Sequence, residues 1–141
     1  MEDWLRSFIE KRRVGRLATV DDEHHPHVVP IVYAFDGKRL YTPIDAKPKR
    51  VEAGALQRVR NIRANPRAAV IVDRYSEDWE RLAWVQLRGR ARYVQAGEER
   101  DRGVRLLEQK YSQYDEMPLA GRPIIILEVD KVVSWRASQA G

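Results

Sequence analysis

Trp4, Leu5, Phe8 and Ile9 recur at helical spacing among charged neighbours, so an amphipathic helix is expected over residues 3 to 12. Val14 to Val20 then reads as a strand, Asp21 to Pro26 as a turn, and His27 to Phe35 as a second strand closed by the hairpin signal Asp36-Gly37. A third strand is expected from Lys38 to Pro43. The second strand is apolar on both faces, with Val28, Pro30, Val32 and Ala34 on one side and Val29, Ile31, Tyr33 and Phe35 on the other. Such a strand belongs in a barrel wall covered by a helix or by a second subunit.

Leu56, Val59 and Ile62 mark a short basic helix within residues 52 to 65, stopped by Asn65-Pro66. Ala68 to Val72 is an apolar run suited to a buried strand. From Ala83 to Tyr93 the alternation is strict, with Ala83, Val85, Leu87, Gly89, Ala91 and Tyr93 facing the core, and Gly89 marks a bulge or a close backbone approach. Val104, Leu107, Tyr111 and Tyr114 define a second main helix over residues 97 to 114. Ile124 to Val129 and Val132 to Trp135 are expected as two closing strands separated by Asp130-Lys131. Six or seven strands with three peripheral helices and no βαβ alternation predict an antiparallel barrel.

The chain has 141 residues, 43% of them apolar, which suits one domain over residues 1 to 141 with a single core. Charge interrupts the N-terminal segment where a signal peptide would be apolar, and no run reaches transmembrane length, so a cytoplasmic protein without a membrane partner is expected. The absence of cysteine excludes disulfides, thiolate metal sites and thiol nucleophiles. Redox chemistry in such a chain requires a bound cofactor. The formal net charge of +5 favours an anionic partner. Lys47, Lys49, Arg50, Arg58, Arg60, Arg63 and Arg67 concentrate that charge centrally, with Glu52 the only acid after Asp45 in the stretch. Exposed aromatics are not interleaved along it, so nucleic acid is not the expected partner.

Several segments together resemble the pyridoxamine-phosphate-oxidase-like split β-barrel family. Gly15-Arg16-Leu17-Ala18-Thr19-Val20, followed by Pro26 to Tyr33, is similar to its opening hairpin, and Leu40-Tyr41-Thr42-Pro43 to its third strand. Arg60-Asn61-Ile62, continuing through Pro66 to Asp73, resembles its most specific motif, and Trp84-Val85-Gln86-Leu87-Arg88-Gly89-Arg90-Ala91 a later strand. The resemblance covers residues 8 to 136 and lies nearest the branch that uses the deazaflavin coenzyme F420. It implies a homodimeric split barrel holding a phosphorylated cofactor between subunits and passing hydride to a small-molecule acceptor. FMN is the alternative cofactor, and a non-catalytic cofactor-binding protein the alternative role. The chain lacks the Arg-rich C-terminal segment of true pyridoxamine phosphate oxidases, so vitamin B6 oxidation is disfavoured.

The same resemblance places the cofactor phosphate between the third strand and the following helix. The residues there are Thr42, Lys47, Lys49, Arg50, Arg58 and Asn61, which combine charge with directed donors. Arg88, Arg90 and Arg92 share one strand face, and Arg88 is the candidate to grip an acidic cofactor tail. Tyr33, Trp79 and Trp84 are candidates to stack on a tricyclic ring. His24, His25 and His27 cluster at a turn, but no carboxylate cluster or second His group supports a metal site. No catalytic acid, base or nucleophile is identifiable, consistent with chemistry carried by a cofactor.

Overall fold

A computed structural model describes residues 1–44 and 56–138. The described residues form three helices, α1 (Asp3–Lys11), α2 (Gln57–Ala64) and α3 (Glu98–Lys110). The strands are β1 (Gly15–Val20), β2 (Pro26–Ile31), β3 (Ala34–Phe35), β4 (Arg39–Pro43), β5 (Arg67–Arg74), β6 (Ala83–Val94) and β7 (Ile124–Arg136). All pair antiparallel in one curled sheet of order β2-β1-β5-β6-β7-β4-β3, the split barrel expected from the sequence. No helix among the described residues is long and apolar enough to cross a membrane.

The concave side of the sheet carries the larger core, in which Ile9 of α1 and Val59 and Ile62 of α2 close over Leu17, Val70, Val85 and Leu87. A second core lies under α3, where Leu107, Tyr41, Ile124 and Ile126 meet. The two cores explain why β7 opens with four buried residues: Ile124 and Ile126 serve one, Ile125 and Leu127 the other. Close approach of α3 depends on Gly103, where a Cβ would lie 2.5 Å from a Tyr41 ring carbon.

Three expectations are corrected in detail. The second strand is interrupted at Val32-Tyr33, so that β3 is a separate two-residue strand. The cause is competition for backbone groups. Tyr33 N–H donates to the Tyr111 hydroxyl at 3.2 Å, and Val32 C=O accepts from Thr42 Oγ1 at 2.8 Å, which removes both from a ladder. The two closing strands are one continuous strand, because Asp130 is absorbed as a bulge opposite Arg88/Gly89, where Arg88 pairs with Lys131 and Gly89 with Val129. The bulge draws the backbones so close that a Cβ on Gly89 would lie 1.8 Å from the Glu128 carbonyl oxygen. Finally, the last helix stops at Lys110. Tyr111 leaves helical geometry at φ −119° and sends its hydroxyl back to the Arg13 and Tyr33 carbonyls at 2.9 and 3.1 Å.

The Asp36-Gly37 hairpin forms as read, with Gly37 at φ +100°, a conformation natural to glycine. Asp36 accepts from the Lys38 and Arg39 N–H groups and from the Tyr41 hydroxyl. Burial alone raises its pKa, but these donors and Arg102 outweigh it and hold the carboxyl below its ordinary range.

Candidate functional site

The start of α2 carries basic residues where a helix usually carries acid. Helix N-termini attract negative charge, and α1 and α3 conform, with Asp3 in one first turn and Glu98, Glu99 and Asp101 in the other. The first turn of α2 carries no acid and no side-chain cap, and Arg58 and Arg60 stand there instead. Charge of that sign at that end of a helix suits an external anion.

Asn61 anchors this helix to the sheet. It is 2% exposed, donates from Nδ2 to Thr19 Oγ1 on β1 at 3.0 Å, and accepts at Oδ1 from Gln57 Nε2 at 2.6 Å. Thr42, also 2% exposed, gives its single hydroxyl hydrogen to Val32 C=O. Both expected phosphate ligands are therefore engaged internally, and each holds in place an element that borders the site. Arg58 lies half-buried one turn before Asn61. Lys47, Lys49 and Arg50 lie outside the described residues. Sequence reading missed Thr19 and Gln57 as the partners of Asn61, although Gln57 and Asn61 have the i, i+4 spacing at which helical polar pairs meet.

Arg88 extends from the convex face of β6, exposed, with Nε donating to Gln86 Oε1 at 2.5 Å. Thr19 lies on the concave face, so one chain does not bring Arg88 to α2. Arg92 is held by Glu99 and Glu128 at 2.8 and 2.9 Å, and Glu128 also accepts from Arg39 at 2.7 Å. These pairs tie β4, β6, β7 and α3 together at the surface. The three aromatic candidates are separated in role. Tyr33 is wholly buried and donates to the Ile9 carbonyl at 2.5 Å, Trp79 is 66% exposed, and Trp84 stands opposite Trp135 across the β6–β7 ladder. Among the described residues no group of three or more His, Cys, Asp or Glu side chains is placed to hold a metal ion.

The convex face of β2, β1, β5, β6 and β7 is open in the single chain. Val28 is 61% exposed and Trp135 46%, with Pro30, Ile71, Trp84 and Val133 along the same face. The double-sided apolarity of the second strand thus has its uncovered side here, on an edge strand.

Comparison with known proteins places this geometry in context. A family model described as pyridoxamine 5'-phosphate oxidase matches residues 1–136. A conserved hypothetical protein from Mycobacterium tuberculosis superposes with a TM-score of 0.76 at 19% identity, covering 97% of this chain and 86% of that one. The heme storage protein HutZ from Vibrio cholerae gives a TM-score of 0.73 at 15% identity, covering 96% and 93%. An F420 reductase gives a TM-score of 0.64 at 25% identity, covering 91% and 94%.

Proposed function

Because the chain belongs to the pyridoxamine 5'-phosphate oxidase family, we propose that it is an oxidoreductase that holds coenzyme F420 and uses it to reduce a small acceptor. The observation that carries this reading is the reversed charge at the start of α2, a helix end with basic residues and no acid, in the segment to which the family resemblance assigns the phosphate. The similarity to an F420 reductase supports the deazaflavin over FMN.

In this reading Arg58 binds the phosphate, together with Lys47, Lys49 and Arg50. Thr42 and Asn61 fix β4 and α2 around it through their internal hydrogen bonds. A second copy of the chain covers the open convex face, which brings Arg88 of one subunit toward the anionic tail of the cofactor held by the other. When bound, the deazaflavin supplies the hydride, and the protein contributes binding, orientation and exclusion of water.

The experiment is a parallel titration of the purified protein with F420, FMN and hemin, followed by fluorescence and absorbance at two salt concentrations. F420 is expected to bind most tightly and to lose more affinity than FMN as salt rises, since it carries more charge. Tighter FMN binding with oxygen-dependent reoxidation overturns the choice of cofactor. Binding of hemin alone overturns the oxidoreductase reading.

A further inference from the structure

The fold separates the three histidines that lie close together in the sequence. His24 occupies the turn between β1 and β2 at φ +68°, and His25 Nδ1 lies 3.1 Å from the Asp21 carboxylate, both side chains on exposed residues. His27 is placed differently. It lies on β2, half-buried, directly across the ladder from Thr19 of β1. Paired residues of an antiparallel ladder project from the same face, with their Cβ atoms about 5 Å apart. His27 therefore shares the concave face with Thr19, and the next two residues of β2 on that face, Val29 and Ile31, pack in the larger core.

Nδ1 of His27 is buried and has no hydrogen-bond partner among the described residues. A buried ring nitrogen normally has one, because leaving water without a replacement costs free energy. Thr19 across the ladder is engaged elsewhere. Its Oγ1 accepts from Asn61 of α2 at 3.0 Å, and Asn61 accepts from Gln57 in the first turn of that helix at 2.6 Å. The orphaned nitrogen thus stands beside the threonine that seats the helix end carrying basic residues and no acid. An imidazole nitrogen that carries its hydrogen is a donor, and a donor beside that helix end suits an anionic oxygen.

We propose that His27 is a binding residue of the cofactor site, its Nδ1–H donating to an oxygen of the cofactor's phosphate. The inference rests on the cofactor reading above and adds to it a residue from the strand beyond β1. A nitrogen that gains its partner only from the ligand has opposite effects on stability and on binding. Removing it relieves the unliganded protein and weakens the complex.

The test titrates the full chain and its variants with coenzyme F420 and with FMN, followed by fluorescence. Thermal unfolding without ligand, and the resonance of the His27 ring nitrogen in isotopically labelled protein, are recorded in parallel. The resonance is expected to move saturably with ligand. His27→Leu is expected to weaken binding about ten- to hundredfold, the range for a hydrogen bond to a charged group, while the unliganded variant melts no lower than the unsubstituted protein. His27→Asn, whose amide nitrogen stands near the place of Nδ1, is expected to recover most of the affinity, and His27→Gln, which reaches toward the place of Nε2, is not. Unchanged affinity in His27→Leu, equal loss in the Asn and Gln variants, or a loss of affinity accompanied by lower melting overturns the proposal and leaves the cofactor reading standing. The expected pattern with FMN alone keeps the role of His27 and overturns the choice of deazaflavin. Binding of neither cofactor by the unsubstituted protein overturns both.

Discussion

Replacing Asn61 with alanine separates a residue that touches the cofactor from one that holds the helix beneath it. The change removes the 3.0 Å bond to Thr19 and the 2.6 Å bond from Gln57. At about 1 kcal/mol net for each bond, plus about 1 kcal/mol for leaving the Thr19 hydroxyl without that partner, the expected loss is about 3 kcal/mol. Thr19 is only 1% exposed, so water does not readily replace the lost partner. Against a typical total stability of about 5–15 kcal/mol this is a large fraction, and it corresponds to a melting temperature lower by about 10 °C for a domain of this size. Urea denaturation followed by circular dichroism measures it, with an unchanged m-value showing that the unfolded ensemble is the same. The partner variant Arg58→Ala is expected to show the opposite balance, weakening cofactor binding by about 1.5–3 kcal/mol with a smaller loss of stability than Asn61→Ala. If Asn61→Ala keeps its stability within about 0.5 kcal/mol and instead loses the cofactor, the anchoring role is refuted.

Four other outcomes are expected. Gly89→Ala places a Cβ 1.8 Å from the Glu128 carbonyl oxygen and should cost more than about 3 kcal/mol in thermal or urea unfolding; a loss below about 1 kcal/mol shows that the bulge yields. Tyr111→Phe leaves the buried Tyr33 N–H without its partner and should cost about 1–3 kcal/mol in urea unfolding; an unchanged midpoint refutes the role of that hydroxyl. Burial, reinforced by Arg13 and Arg12 and opposed by Glu10, lowers the Lys110 amine to about 8 from an ordinary 10.5, so the folded state binds fewer protons than the unfolded state between those values. The amine's penalty is present below pH 8 and fades toward pH 10.5; the protein should therefore gain stability relative to Lys110→Met over that interval, and parallel curves for the two refute the linkage. Light scattering should give twice the 16.5 kDa chain mass, and Val28→Asp on the open face should shift the protein toward monomer; a wild-type monomer that binds cofactor refutes the covered face.

Local pattern determined much of this protein. The strict alternation from Ala83 to Tyr93, the helical spacing in α1 and the Asp36-Gly37 turn are each settled by residues close in sequence, since periodicity and turn chemistry act over a few residues. Gly89 was legible as a close approach for the same reason. The tertiary structure decided where backbone groups find partners. Tyr111, 78 residues further along the chain, and Thr42 on β4 break the second strand at Val32-Tyr33, and the bulge at Asp130 sits opposite Gly89 on β6. It likewise turned Asn61 and Thr42 inward, since a polar side chain that the fold buries must first satisfy its own hydrogen bonds. The group of cations beneath α1 had no linear signature at all, because Arg12, Arg74 and Arg136 come together only when α1 is laid across the strand ends, with Phe8 and Trp4 beside their guanidinium groups.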